Sequence, residues 1–367
     1  MNQKDILVIS NMYPTDKHKS FGIFVKNQVE ALSRTGLNVD VMAINDPESG
    51  KAKVLKKYLM WLFATAANLL SKGKKYDVVH AHYVFPSGAL GLMYKKLWKT
   101  KLVVTAHGGD IDKMARKNAR LFQWTKKILQ EADEVIAVGT ELEETIRTEF
   151  NVPAEKISLL NMGVDRTVFA PQDASQAKAK LGLPKDENVL LFTGNVIRQK
   201  GVKELIEAVG LLKSAGESAK LYIIGPAKDR AFYQELKADI AKFGLEDQVE
   251  FAGVKPQKEV ALWMAVADVF VLPSHIEGFG LVALEAMSCE TPVLGTSVGG
   301  LKHLLAGDSG CMVRVQNADD IKKGIQKILS DEDYRSLLIN NGIHKAEEND
   351  QKYIIEKLLT LYFPTGG

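Results

Sequence analysis

The stretch that decides the fold covers residues 269–288 and reads VFVL-PSHIEGFG-LVALEAMS. Its first four residues, Val269–Leu272, are apolar and predict a strand buried on both faces, and Leu281–Ser288 predicts a helix directly after it. Gly278 and Gly280 lie in the loop between them, where glycine lets the backbone come close to a ligand. Since the N-terminus of a helix attracts anions, the stretch predicts a strand–loop–helix unit with an anion-binding turn.

The same alternation of short apolar runs and helical segments continues along the whole chain. It predicts α/β architecture, with parallel sheets covered by helices on both faces. The predicted strands are residues 6–10, 39–44, 78–80, 102–105, 134–138, 157–160, 189–192, 219–224, 249–251, 269–272, 292–295 and 310–313, and helices include 23–35, 201–214, 230–243 and 281–288. Twelve strands predict two doubly wound domains around a cleft. Residues 1–165, with a returning helix at 351–367, would form one domain and residues 166–350 the other.

Composition excludes several classes of protein. The 367 residues are 46% hydrophobic and 25% charged, unlike a disordered chain. Two cysteines, Cys289 and Cys311, exclude a disulfide framework and a four-ligand zinc site. Residues 1–10 predict a strand rather than a signal peptide, and no uncharged apolar run reaches the length of a membrane span. We therefore expect a soluble protein of the cytoplasm.

Two carboxylates flank the anion-binding turn. Glu277 lies in the loop, and Glu285 lies about 6 Å further along the helix than Leu281. This arrangement suits a ligand with hydroxyl groups at both ends and phosphates in the middle, such as a nucleotide sugar. An ordinary loop with one solvated glutamate and one helical glutamate is the other interpretation.

Two more turns carry groups suited to phosphate. Residues 192–201 join a strand to a helix and contain Arg198 and Lys200, which either meet a diphosphate or are solvated surface charges. Gly22 lies between the first strand and the first helix, where glycine allows close approach to phosphate.

Histidines follow two predicted strands of the N-terminal half. His80 and His82 end one strand, and His107 and Asp110 follow the next. Because ligands gather beyond the carboxyl ends of strands, His107 and Asp110 are candidate site residues. A core histidine with satisfied hydrogen bonds is the alternative, and it is favoured for His80. The Asp-x-Asp patterns at 110–112 and 331–333 are too common to predict a metal site.

Taken together, these features resemble the retaining glycosyltransferases of GT-B fold known as glycosyltransferase family 4, or glycosyl transferases group 1. The resemblance runs in order from the first strand to about residue 310. It rests on residues 13–14, 21–24, 79–82, 161–165, 200–201, the pair Glu277 and Glu285, and 299–300. The opening and residues 22–28 are most similar to bacterial enzymes of cell-surface polysaccharide synthesis, of the capsule, exopolysaccharide or teichuronic-acid type.

The resemblance implies two Rossmann-like domains facing a central cleft, with a nucleoside-diphosphate sugar (UDP more than GDP) on the C-terminal domain. Glu285 would bind the ribose and Glu277 the donor sugar, with Lys200 and Arg198 on the phosphates. The backbone would approach the donor at Phe279, Gly280, Leu281 and Gly22. His107 would lie near the transferred sugar and Asp110 near the acceptor, so the implied catalytic residues are His107, Glu277 and Lys200. The leaving phosphate would take the proton of the acceptor in a front-face displacement, with neither metal nor other cofactor.

Several positions depart from the family pattern. Asn195 stands where the family often has arginine, Glu290 replaces a glycine, and Phe21 replaces one of two glycines. The glycine pair at 299–300 lacks the proline and glutamate that usually follow it. Both glutamates of the donor turn are present, so these departures put the fine donor preference in doubt rather than the activity.

Residues 51–130 carry a strong positive charge. They contain 17 Lys and Arg and three acidic residues, Asp77, Asp110 and Asp112, and residues 51–63 mix lysines with large apolar side chains. This pattern is typical of a helix on an anionic membrane, or of a helix packed on the sheet with a basic outer face. We find no nucleic-acid-binding motif. A peripheral position on the inner face of the plasma membrane, with a lipid-linked or oligosaccharide acceptor, is the interpretation we adopt.

Two other functions stay open. A nucleotide-sugar epimerase or a sugar-phosphate synthase of the same fold would need no lipid acceptor. A non-catalytic anion-binding module would use Glu277 and Glu285 only structurally.

Overall fold

The computed structural model describes residues 3–48 and 50–364. The chain divides into two compact units, one formed by the described residues of 1–162 and 351–364 and the other by residues 163–350. The strands are β1 (Asp5–Ser10), β2 (Asn38–Ala43), β3 (Val78–His82), β4 (Lys101–Ala106), β5 (Glu134–Ala137), β6 (Ile157–Leu159), β7 (Val189–Thr193), β8 (Lys220–Ile224), β9 (Val249–Gly253), β10 (Val269–Leu272), β11 (Val293–Thr296) and β12 (Cys311–Val313).

Helices connect the strands in both units. They are α1 (Ile23–Arg34), α2 (Lys51–Lys72), α3 (Ala89–Trp98), α4 (Ala119–Glu131), α5 (Thr140–Glu149), α6 (Ala174–Leu181), α7 (Val202–Ser214), α8 (Arg230–Phe243), α9 (Gln257–Val266), α10 (Leu281–Ser288), α11 (Gly299–Leu305), α12 (Ala318–Ser330), α13 (Glu332–Glu348) and α14 (Gln351–Tyr362). No helix in the described part of the chain is long and apolar enough to cross a membrane.

The first unit is built on a parallel sheet of six strands in the order β2-β1-β3-β4-β5-β6. Ile6, Leu7, Val8 and Ile9 of β1 are all fully buried, because apolar cores lie on both faces of the sheet. The C-terminal helix α14 belongs to one of these cores, where Leu358 packs with residues of β1 and α1. Helix α14 thus completes the core on one face of the first sheet.

The second unit repeats the plan with the strand order β12-β11-β10-β7-β8-β9. All its ladders are parallel, so the carboxyl ends of its strands share one edge. β10 and β7 are neighbours near the middle, with Val269 opposite Leu190. The loops after these two strands, which hold Glu277 and Lys200, therefore begin side by side.

Each of the twelve predicted strands and four predicted helices is present, with ends that differ by at most two residues. The strands could be recognised in the sequence because strands buried on both faces are almost continuously apolar. The ends differ because hydrogen bonding to the neighbouring strand decides where a strand stops. β3, for example, continues through His82, which lies opposite Thr105 of β4.

Candidate active site

Lys200 and Glu277 meet at the carboxyl edge of the second sheet. Nζ of Lys200 lies 2.6 Å from Oε2 of Glu277, and both side chains are largely shielded from solvent. Ser274 donates its hydroxyl to the same carboxylate oxygen at 3.1 Å. The backbone amide of His275 donates to the carbonyl of Gln199 at 2.8 Å, which ties the two loops together. The structure therefore joins two predicted site residues 77 positions apart in the chain.

Two glycines make this close packing of loops possible. At Gly201 an added Cβ would lie 1.9 Å from the carbonyl oxygen of Pro273, and at Gly300 it would lie 2.1 Å from that of Gly278. Gly201 also has φ of 67°, a conformation that side chains disfavour. The turn with Lys200 and the start of α11 can thus pack closely against the loop that carries Glu277.

The loop ends in the N-terminus of α10. Gly280 precedes the helix with φ of 90°, and among the described residues no backbone carbonyl accepts from the amides of Phe279, Gly280 or Leu281. The first amides of a helix have no partner within it and carry a partial positive charge. These amides lie on the same short segment as Glu277, so donors suited to an anion and a carboxylate suited to hydroxyl groups are adjacent there.

Glu285 is a buried carboxyl group within α10. Burial raises the pKa of Glu285 to about 8. A buried carboxyl group without a compensating charge is costly to ionise, and such groups cluster at functional sites. Its position one turn into the helix is the predicted one.

Arg198 is directed away from Lys200. Its guanidinium forms an ion pair with Glu235 of α8 and lies 4.8 Å from the ring centre of Phe232. Both oxygens of Glu235 accept from it. The predicted contact of Arg198 with phosphate stays a prediction, whereas Lys200 is the basic residue of this turn that the structure places beside Glu277.

The first unit has its own cluster of predicted residues at the carboxyl edge of its sheet. His107 follows β4, and its ring packs against Phe24 and Tyr83, with centroids 5.0 and 4.6 Å away. Nε2 of His107 lies 3.1 Å from Nδ1 of His82. Burial lowers the pKa of His107 to about 3, so the ring is neutral at physiological pH.

Asp110 holds the backbone around His107. Its Oδ1 accepts the amide of His107 at 3.0 Å and its Oδ2 accepts that of Val84 at 2.8 Å. Burial, opposed by these amides, raises the pKa of Asp110 to about 6. Contact with an acceptor, which the sequence predicted for Asp110, stays a prediction. The structure gives the carboxylate a positioning role, because it fixes the turn that presents His107.

Gly22 begins α1 in the same unit. Its φ is 74°, and an added Cβ would lie 2.6 Å from the carbonyl oxygen of Met12. Only glycine fits this close approach of the turn to the segment after β1. A contact of Gly22 with diphosphate is a prediction that the structure leaves open.

Comparisons with known proteins show the family of the chain. Residues 173–345 match the family described as glycosyl transferases group 1, and residues 22–168 match glycosyltransferase family 4. A D-inositol 3-phosphate glycosyltransferase of Thermobispora bispora is 33% identical over 292 residues, which cover 74% of this chain and 67% of that protein. The chain belongs to the group 1 and family 4 glycosyltransferases.

Solved structures support the fold of this glycosyltransferase. A sucrose-phosphate synthase from Thermosynechococcus elongatus is 26% identical, covers 98% of each chain and superposes with a TM-score of 0.83. HepE of Anabaena, solved with UDP and glucose, is 18% identical, covers 98% of this chain and 99% of its own, and has a TM-score of 0.78. The fold is GT-B, with two Rossmann-like domains.

Ser274 and His82 are the site residues that sequence reasoning did not assign. Ser274 directly follows Pro273 at the end of β10, and His82 ends β3, so their places at strand ends were the available signal. The sequence alone did not show that Ser274 contacts Glu277 and that His82 contacts His107. Within the described residues of this glycosyltransferase, no group of three or more His, Cys, Asp and Glu side chains could hold a metal ion.

Proposed function

We propose that this glycosyltransferase moves a sugar from a nucleoside-diphosphate sugar to a lipid-linked or glycan acceptor in cell-surface polysaccharide synthesis. UDP is favoured over GDP as the nucleotide of the donor. The anomeric configuration of the sugar is retained. Residues 163–350 bind the donor, and the first unit binds the acceptor at the cytoplasmic face of the plasma membrane.

The observation that carries this proposal is the contact of Lys200 with Glu277 beside the N-terminus of α10. An ammonium group has three donors, so Lys200 can hold Glu277 and a phosphate oxygen together. The amides of residues 279–281 supply further donors to an anion. Glu277 offers the oxygens of its carboxylate, and Glu285 those of its carboxyl group, to hydroxyl groups on either side of it. A nucleotide sugar has this order of groups.

The transfer uses these groups to stabilise charge. The bond between the anomeric carbon and the diphosphate oxygen breaks, the acceptor oxygen bonds to that carbon on the same face, and its proton passes to the leaving phosphate. Lys200 and the α10 amides stabilise the negative charge that grows on the diphosphate, which is the role a metal has in other transferases. Family resemblance supports retention, and the UDP in HepE supports uridine as the nucleoside of the donor.

The outer surface of α2 supports a membrane-bound acceptor. Only Trp61, Thr65 and Leu69 of this helix of 22 residues are buried. Its exposed face carries large apolar side chains among lysines, and Phe63 and Leu70 are each 74% exposed. A basic helix with exposed apolar side chains fits an anionic lipid surface. The helix packed on the sheet thus has an outer face that is apolar as well as basic.

A second candidate is transfer to a small phosphorylated acceptor. Two similar proteins carry names of this kind, a D-inositol 3-phosphate glycosyltransferase and a sucrose-phosphate synthase. The chain spans about two thirds of the length of the former. A polyol phosphate or sugar phosphate would also use the positive charge of residues 51–130.

The experiment is a transfer assay in a matrix of donors and acceptors. UDP-, GDP- and ADP-sugars are each combined with polyprenyl-diphosphate sugars in anionic vesicles, with inositol phosphate, with hexose phosphates, and with no acceptor. The product is identified by mass and its anomeric configuration by NMR, with Glu277→Gln as the inactive control. An α-linked product on the polyprenyl acceptor supports the proposal. An α-linked product on a phosphorylated polyol or sugar selects the second candidate, and an inverted product contradicts both.

A further inference from the structure

Three histidines form a row at the carboxyl edge of the first sheet, in which His80 and His82 are buried and His107 is partly exposed. His80 and His82 lie on β3, with ring centroids 4.3 Å apart, and His107 follows the neighbouring strand β4. His82 and His107 are stacked, with centroids 5.4 Å apart. Within this row His80 and His82 have very different hydrogen bonding, and the difference has a chemical consequence for His107.

His80 has partners on both nitrogens. Its Nδ1 lies 2.5 Å from the hydroxyl of Tyr362, and its Nε2 lies 2.7 Å from the hydroxyl of Thr105. Hydroxyl groups both donate and accept, so they satisfy either tautomer of His80. His80 is a core histidine, as the sequence predicted.

His82 has a partner on one nitrogen only. Its side chain is 0% exposed, its Nδ1 lies 3.1 Å from Nε2 of His107, and its Nε2 has no hydrogen-bond partner among the described residues. Burial lowers the pKa of all three histidines. Each ring is therefore neutral at physiological pH and carries a single N–H, so one of the facing nitrogens of His82 and His107 donates and the other accepts.

We propose that His82 is a positioning residue that holds His107 in the tautomer protonated on Nδ1, so that this N–H donates to an oxygen of the substrate. The inference rests on the proposed function and on the role that the family resemblance implies for His107 at the transferred sugar.

The unpaired nitrogen of His82 decides between the two tautomers. If His107 donated from Nε2, the proton of His82 would lie on its own Nε2, where no acceptor is present. Buried N–H groups without an acceptor are rarer in proteins than buried acceptors without a donor. His82 therefore places its proton on Nδ1 and donates to Nε2 of His107, which leaves the proton of His107 on Nδ1.

The rest of the pocket keeps this arrangement rigid. Phe24 and Tyr83 pack against the ring of His107, and Asp110 holds its backbone amide. A fixed ring in a single tautomer offers the substrate a donor at a constant place. The opposite tautomer would offer a lone pair, which accepts from a hydroxyl group but repels an oxygen of the leaving diphosphate, which has no hydrogen to donate.

The first test reads the tautomer in the unmodified, full-length protein. The chain contains 7 histidines, and long-range ¹H–¹⁵N NMR of ¹⁵N-histidine-labelled protein separates protonated from unprotonated ring nitrogens. The spectrum of His107→Gln identifies the His107 signals. We expect a protonated Nδ1 and an unprotonated Nε2 for His107. A protonated Nε2 would overturn the proposal, and neither result depends on finding the acceptor.

The second test compares two variants of His82. Asn places its amide N–H₂ near the position of Nδ1 and keeps the donor, whereas Leu fills similar space without one. We expect His82→Leu to lower kcat at least about tenfold at unchanged KM for the donor, and His82→Asn to restore most of it. Equal kcat values for the two variants would overturn the positioning role. If the unmodified protein transfers no sugar to any acceptor, the proposed function fails, but the NMR result still decides the tautomer.

Discussion

An added Cβ on Gly201 would lie 1.9 Å from the carbonyl oxygen of Pro273. The backbone that carries Lys200 and the backbone that leads to Glu277 are therefore in direct contact, and no side chain can separate them. Since Lys200 is the neighbour of Gly201 in sequence, this contact sets the distance between the ammonium group and the loop. The close packing makes Gly201 a structural requirement of the proposed donor site.

Replacing Gly201 by alanine tests this requirement. We expect Gly201→Ala to lower the free energy of unfolding by at least about 2 kcal/mol, because the positive φ and the overlap with Pro273 both add cost. Gly216→Ala is the matched control: its φ is 82°, but an added Cβ there would meet nothing within 4 Å. The control should lose about 1 kcal/mol, the cost of the positive φ alone. Equal losses in chemical denaturation would show that the contact with Pro273 is unimportant.

Lys200 should matter for transfer more than a neighbouring lysine of similar environment. We expect Lys200→Met to lower kcat by about 10²- to 10³-fold, because it removes a cation from the leaving diphosphate. Lys203→Met is the control, since Lys203 lies on α7 and pairs with Glu235 and Asp239 instead. Steady-state kinetics with saturating donor measures both. Similar kcat values for the two variants would mean that Lys200 is a structural ion pair.

Glu285 should make stability depend on pH. Because the pKa of Glu285 is raised to about 8, the folded protein keeps its proton over a range in which the unfolded chain has lost it. This contribution to stability is complete below the pKa of the unfolded chain and is lost as pH rises towards about 8, by at most about 1.4 kcal/mol per pH unit. Glu285→Gln removes the dependence. The unmodified protein should therefore lose stability relative to Glu285→Gln between pH 5 and pH 8, as measured by the free energy of unfolding. Parallel curves of unfolding free energy against pH for the two proteins would show that Glu285 is ionised throughout.

The exposed face of α2 should bind anionic vesicles. We expect the double variant Phe63→Ser, Leu70→Ser to bind at least about tenfold more weakly in sedimentation with vesicles, because it removes two large apolar side chains from the lipid contact. Leu337→Ser is the control, since Leu337 is 44% exposed on α13 in the other unit. Added salt should weaken binding of the unmodified protein. Binding that is unchanged in the double variant would exclude α2 as the lipid-binding surface.

The sequence predicted the strands well but only some contacts of the site. β10 and α10 could be predicted because an apolar run, a loop with glycines and a helical segment are consecutive in the sequence. The contact of Lys200 with Glu277 depends on the strand order, which places β10 next to β7. The local sequence pattern of a strand does not show which strand lies beside it. The long side chain of Arg198 could have reached several partners, and only the placement of α8 directs it to Glu235. Asp110 shows the same limit, because its backbone partners follow from the turn geometry around it.

The central claim, that residues 163–350 bind a nucleoside-diphosphate sugar through Lys200 and Glu285, is tested most directly by thermal unfolding of the full chain with UDP-, GDP- and ADP-sugars. The account predicts that one nucleotide raises the unfolding midpoint, with about 2.7 kcal/mol of stabilisation at a concentration 100 times its Kd, in chelator as in magnesium. The shift should be smaller in Lys200→Met and in Glu285→Ala. A wild-type midpoint that no nucleotide sugar moves, or equal shifts in all three proteins, would contradict the claim.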